Sequence, residues 1–235
     1  MLIHGLGATG AVWRAVASLL ERQYRVDVLA PDLPGHGAAR PAVLYSVGHL
    51  AAAVAGALPA HRPVLVAGHS LGGYVALALA SGWFGCVPAA VLSLGAKLSF
   101  SAAERARAKE FAARPVRFFA TRPEAVERYR LVAGLPSEQA PDERLLERGV
   151  MDGERGFRLA ADPIAFGILV PGFDALLAAA HCPVVVARGE HDPLVSRAEC
   201  AQLGARTVEL AGLGHNAHIE DAAQVAALIG GLLSA

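Results

Sequence analysis

Short apolar runs punctuate this chain at a regular rhythm. After a two-residue stub, Leu2–Ile3, they fall at Arg25–Ala30, Pro63–Ala67, Ala89–Leu94, Pro183–Ala187 and Arg206–Leu210. Four of these segments are near-continuous rather than alternating, which is the mark of parallel strands buried on both faces. Between them the apolar spacing turns helical, over Val12–Arg22, Val47–Leu58, Gly72–Ser81, Arg197–Leu203 and Ala222–Leu233. Strand and helix in alternation predict an α/β fold: a mostly parallel central sheet flanked by helices.

The rhythm stops between Ser99 and Ala180. That stretch carries most of the charge, several phenylalanines and the breakers Pro115, Pro123, Pro136, Pro141, Pro163 and Pro171. A structureless loop of that length does not suit a compact domain. The expectation is an inserted helical lid over residues 99–180, with residues 1–98 and 181–235 forming the core.

Composition narrows the partners. Hydrophobic residues make up 54% of the chain and mean hydropathy is +0.41. The excess is mostly Ala, Val and Leu, and no uncharged apolar run reaches the roughly 18 residues of a membrane span. Lys+Arg and Asp+Glu are equal at 21 each. With no basic stripe, neither nucleic acid nor an anionic membrane surface is an expected partner. The arginines between Arg105 and Arg130 alternate with Glu110, Glu124 and Glu127, a pattern of solvated helix faces. Cys86, Cys182 and Cys200 match no metal spacing and no disulfide framework. No cofactor or metal is expected, and with no signal segment visible the expected location is cytoplasmic.

The sharpest chemical signal is Gly68-His69-Ser70-Leu71-Gly72-Gly73, which contains Gly-x-Ser-x-Gly between a predicted strand and a predicted helix. A serine on so sharp a turn needs glycine two residues away on either side. The turn also aims the Leu71 N–H, at the start of the helix, toward a developing oxyanion.

At this point the chain resembles the α/β-hydrolase superfamily, in its serine hydrolase and esterase branch. His4-Gly5-Leu6-Gly7, after the first strand stub, is similar to the family's oxyanion-hole loop, which implies Leu6 N–H as the second donor. Asp32-Leu33-Pro34-Gly35-His36-Gly37 resembles another family loop, and there His36 is expected to be a turn residue. Relatives carry two further strands and a complete third before His-Gly. Only Met1-Leu2-Ile3 precede His4 here, so N-terminal edge strands are expected to be missing.

A serine nucleophile needs a base, and the base an orienting carboxylate. Asp192 follows the strand Pro183–Ala187, where this fold places function. Gly189 to Asp192 matches the family's Gly-x-x-Asp, with Glu190 as the rival acid. The segment Gly214-His215-Asn216-Ala217-His218-Ile219-Glu220 resembles the family's C-terminal histidine loop, which implies His215 as base, with His218 the competing assignment. His49, His61 and His181 are expected in surface or connecting positions, and His69 is expected to point away from the chemistry. A serine at position 70 sets the chain apart from relatives with aspartate or cysteine nucleophiles.

The resemblance therefore implies cleavage of a small or medium hydrophobic carboxylic ester by Ser70, His215 and Asp192. The same triad suits a lactone, a thioester, a carbon–carbon bond next to a ketone, or cofactor-free perhydrolysis. A non-catalytic small-molecule receptor is the reading from another class. Trp13, Phe111, Phe118, Phe119 and Phe166 are candidates to line a substrate pocket.

Overall fold

The computed structural model describes residues 1–59, 61–135 and 143–234. Pro136 and Pro141, two of the predicted breakers, lie outside them. The strands in chain order are β1 (Leu2–Ile3), β2 (Leu65–His69), β3 (Ala90–Leu94), β4 (Val150–Gly153), β5 (Gly156–Leu159), β6 (Val184–Gly189) and β7 (Arg206–Leu210). The helices are α1 (Arg14–Tyr24), α2 (Val47–Ala55), α3 (Leu71–Ala80), α4 (Ala102–Ala112), α5 (Arg122–Val132), α6 (Glu143–Arg148), α7 (Phe173–Ala178), α8 (Arg197–Cys200), α9 (Ala217–Glu220) and α10 (Ala222–Leu233).

β1, β2, β3, β6 and β7 form one sheet in that order, every neighbouring pair parallel. Side chains alternate across it, as pleating requires. Ile3, Val66, Val91 and Val186 face a layer that includes α2, α3 and α7. Leu2, Ala67, Leu92 and Val185 face the layer of α1 and α10. Both faces are covered, which is why the strands tolerate apolar residues at consecutive positions. The parallel central sheet flanked by helices that the sequence predicts is present.

Two expectations need correction. The candidate strand Arg25–Ala30 joins no ladder. One hydrogen bond, from Leu2 N–H to the Leu29 carbonyl at 2.7 Å, ties it to β1. β1 is two residues long and offers no further partners. Val26, Val28 and Ala30 pack inward while Arg25, Asp27 and Leu29 are exposed, so this segment is extended chain with one buried face.

The segment 99–180 is not wholly helical. Capping boxes start α4 (Ser101 with Glu104) and α5 (Thr121 with Glu124). Between α6 and α7, however, β4 and β5 make an antiparallel hairpin, which Gly153 and Gly156 bracket. Gly156 has φ +107°, a conformation L side chains rarely adopt. Four-residue strands are too short to register as apolar alternation. Among the described residues no helix is long and apolar enough to cross a membrane.

Candidate active site

The turn between β2 and α3 puts Ser70 at the carboxyl edge of the sheet, with φ 52° and ψ −114°. A non-glycine residue at positive φ is strained, and such strain collects at functional sites. The surrounding glycines are needed for space. A Cβ on Gly68 would lie 2.0 Å from the Gly72 carbonyl oxygen, and one on Gly72 would lie 2.3 Å from that of Ile3. The Ser70 N–H donates to the Leu94 carbonyl at 2.8 Å, which anchors the turn to β3.

Asp192 lies beyond the end of β6, its side chain fully buried. Its Oδ2 accepts from His215 Nδ1 at 3.0 Å, and its Oδ1 from the Leu194 N–H at 2.8 Å. Burial by itself would raise this carboxyl's pKa. The His215 hydrogen bond and charge, with the Leu194 N–H, outweigh that and hold it below the usual aspartate value. The rival acid, Glu190, turns away and accepts from the Gly212 N–H at 2.8 Å. Arg188 braces the Asp192 loop from beneath, donating to the carbonyls of Val195 at 2.8 Å and Glu190 at 3.0 Å.

His215 is held from both sides by one residue that sequence reasoning missed. Glu220 accepts from the Gly214 N–H at 2.5 Å and from the Asn216 N–H at 3.1 Å. The signal was present, as the terminal Glu of the histidine-loop motif. His69 was expected to point away. Instead it is buried, with its ring 4.8 Å from that of His215 and its Nε2 donating to the His215 carbonyl at 2.9 Å. A Cβ on Gly5 would touch both His69 Nδ1 and Ser70 Cβ. The ring that packs on His215 thus belongs to the residue immediately before Ser70. Among the described residues no hydrogen bond joins Ser70 Oγ to His215; such bonds are often long in unliganded enzymes and tighten with substrate.

The loop His4–Gly7 packs over this turn. Among the described residues, the N–H groups of Leu6 and Leu71 engage in no hydrogen bond. Two buried histidines shape the loop. His4 accepts from the Leu33 N–H at 2.9 Å through Nε2 and donates through Nδ1 to the Gly5 carbonyl at 2.8 Å. His36 is more than a turn residue. Its Nε2 accepts from the Gly7 N–H at 3.1 Å, which leaves Nδ1 to donate to the Pro34 carbonyl at 3.3 Å. Asp32 completes the junction by accepting from the Gly10 and Ala38 N–H groups at 2.8 and 2.9 Å.

Both histidine bonds require neutral rings. Desolvation, and then the His4 ring beside it, pushes His36 down to about 3. His218 also falls to about 3, from desolvation and then from His215 and His4. Burial lowers His4 and His69 in the same direction. His218 packs between His69 and Trp13, with ring centroids 4.3 and 4.4 Å away.

The predicted lining residues part company. Trp13 is fully buried core beneath the site. Phe118 is half-buried, with Arg155 over its ring at 4.4 Å. Phe111, Phe119 and Phe166 line a cavity of about 130 Å³ in the inserted segment. A groove of about 600 Å³ between Arg25–Leu29 and Ala57–Leu65 lies at the strands' amino ends, the edge opposite Ser70. Its size does not make it the site, because side chains there cannot reach the serine. Among the described residues no cluster of three or more His, Cys, Asp or Glu side chains is placed to hold a metal ion.

A model of the alpha/beta hydrolase family matches residues 1–228. Curated relatives match over a shorter stretch. The pimeloyl-[acyl-carrier protein] methyl ester esterase of Aeromonas hydrophila is 45% identical over 82 residues, 34% of this chain and 31% of that protein. The magnesium-chelatase 30 kDa subunit of Rhodobacter capsulatus is 43% identical over 84 residues, 34% and 29%. The matched stretch thus spans about a third of these relatives' length. Among solved structures, the thioesterase domain of a curacin biosynthetic pathway superposes with TM-score 0.78 at 26% identity, covering 97% of this chain and 88% of the other. An esterase from Mycobacterium tuberculosis superposes with TM-score 0.79 at 20% identity, covering 100% and 83%, a likeness of fold alone.

Proposed function

From the premise that this chain belongs to the alpha/beta hydrolase family, we propose that it is a serine esterase acting on a small or medium hydrophobic carboxylic ester. The observation that carries this reading is the Asp192–His215 hydrogen bond, set beside a serine held at positive φ. In the proposed cycle His215 Nε2 takes the Ser70 proton as Oγ attacks the ester carbonyl. Asp192 holds the proton on Nδ1 and stabilises the ring's charge. The uncommitted N–H groups of Leu6 and Leu71 receive the oxyanion, each contributing roughly 3 kcal/mol. His215 then gives its proton to the departing alcohol. It next takes one from water, whose oxygen attacks the acyl carbon, and returns that proton to Ser70 Oγ as the acid is released.

Residues 99–180 serve as the lid in this reading. Asn216 Nδ2 donates to the Gly134 carbonyl at 2.9 Å and so ties the histidine loop to that segment. The partial matches to methyl ester esterases favour an ester over a lactone, a ketone carbon–carbon bond or perhydrolysis. A thioester is the second reading, favoured by the likeness to a thioesterase domain. Stopped-flow hydrolysis of p-nitrophenyl butyrate tests the proposal. A p-nitrophenolate burst equal to the enzyme concentration, absent from Ser70→Ala, is expected. Binding without turnover would make the protein a receptor on this fold.

A further inference from the structure

The cavity in the segment 99–180 has a mixed lining. Phe111, Phe119 and Phe166 give it apolar walls, and Arg114, Arg117 and Arg128 stand around it. Two of these guanidinium groups lie over the walls, Arg117 at 4.8 Å from the Phe119 ring centroid and Arg114 at 5.3 Å from that of Phe111. Stacking fixes the plane of a guanidinium and leaves its N–H edge free for a second partner. Among the described residues, no carboxylate pairs with any of the three. Three acids of the segment have other partners. Asp152 pairs with Arg122 and Glu104 with Lys97. Asp162, next to the cavity-lining Pro163, accepts from the Tyr45 hydroxyl at 2.7 Å and the Ile164 N–H at 3.0 Å.

The cavity also adjoins the candidate active site. Phe166 packs on Phe111 with centroids 4.8 Å apart. The tip of the same ring would lie 3.2 Å from a Cβ on Gly7, the neighbour of Leu6. On another wall, Ala161 bridges to His36, whose Nε2 accepts from the Gly7 N–H. Phe166 thus lines the cavity that the three arginines surround and also faces the loop that offers the Leu6 N–H. An oxyanion with two or more oxygens satisfies guanidinium edges in pairs, and an apolar stem satisfies the phenylalanines.

We propose that this cavity binds the anionic end of the ester substrate, a carboxylate or phosphate joined by an apolar chain to the scissile bond, with Arg114, Arg117 and Arg128 as its counter-charges. The identity of the scissile end rests on the serine-esterase reading; binding of the anionic end does not require turnover. The test therefore uses Ser70→Ala protein and calorimetric titration with three ligands of equal chain length. These are methyl octanoate, monomethyl suberate, and the methyl ester of 8-phosphooctanoic acid. Both anionic ligands, or one of them, should bind at least about tenfold tighter than the neutral ester. The tighter of the two identifies the charged group. High salt should shrink the preference, since partly exposed charges are screened.

In a background of Arg114→Gln, Arg117→Gln and Arg128→Gln the preference should vanish while methyl octanoate binds as before. If that variant also loses the neutral ligand, the single change Arg128→Gln decides by the same comparison, with a reduced anion preference expected. Equal affinity for neutral and anionic ligands, or an anion preference untouched by the arginine changes, would overturn the proposal. Failure of the esterase reading would show separately, as wild-type protein that turns over none of these esters.

Discussion

Acidification should destabilise this protein well before its carboxylates protonate, because its buried histidines are neutral. His36 and His218 have folded pKa values of about 3, and His4 and His69 are lowered by the same burial. In the unfolded chain each returns to roughly 6.5. A depressed histidine pKa means that the unfolded state binds the proton first. The stability of the neutral ring is therefore complete above about pH 6.5 and is lost as pH falls from there toward about 3. Between about pH 7.5 and about pH 5 the unfolded state gains about 2 kcal/mol per such group, so about 4 kcal/mol from His36 and His218 together. His4 and His69 add in the same direction. Asp192, lowered below its ordinary value, loses stability only at more acidic pH and stays outside this window. Against a typical total of about 5–15 kcal/mol, the loss is large. Urea denaturation followed by tryptophan fluorescence at the two pH values measures it. His36→Gln keeps a carbonyl acceptor for the Gly7 N–H but does not titrate, so its fall in stability over the window should be smaller by about 2 kcal/mol. A wild-type midpoint that is flat over the window, or a variant that falls as steeply as wild type, would refute the reasoning.

Two further predictions follow from the geometry at the turn and at the acid. Asp192→Asn keeps the shape but reverses the preferred tautomer of His215, so kcat for a p-nitrophenyl ester should drop by about 10⁴ with KM nearly unchanged; steady-state kinetics checks this. Gly68→Ala places a methyl 2.0 Å from the Gly72 carbonyl oxygen, a backbone atom that cannot swing away. It should cost about 3 kcal/mol or more in urea denaturation, whereas Gly231→Ala, with nothing within 4 Å of the new methyl, should be near neutral.

The parallel sheet was legible because β2, β3 and β6 are buried on both faces, and that demands apolar residues at every position. The segment Arg25–Ala30 misled because β apolarity does not reveal whether a neighbour exists to pair with; β1 offers two residues. The hairpin β4–β5 was invisible, since its strands are four residues each and their pairing depends on turn glycines. Ser70, Asp192 and His215, the proposed triad, could be picked out because this fold fixes their chain order and each follows a strand. The second layer did not. His36 and His69 look like incidental turn residues until the fold brings Gly7 and the His215 carbonyl to their ring nitrogens. Glu220 is separated from His215 by one turn of α9, and only the loop's curvature shows that one carboxylate serves both neighbouring N–H groups. The unpaired state of Arg114, Arg117 and Arg128 was equally hidden. Their interleaving with glutamates suggested solvated helix faces, and only the three-dimensional arrangement brings the three side chains around one cavity.

The central claim is that Ser70 is an activated nucleophile, and covalent labelling tests it most directly. Wild-type protein and Ser70→Ala are each exposed to a fluorophosphonate probe, and their intact masses are measured. The account predicts a single adduct on wild type and none on the variant. A folded wild-type protein that takes up no probe, or a variant labelled as fully as wild type, would contradict it.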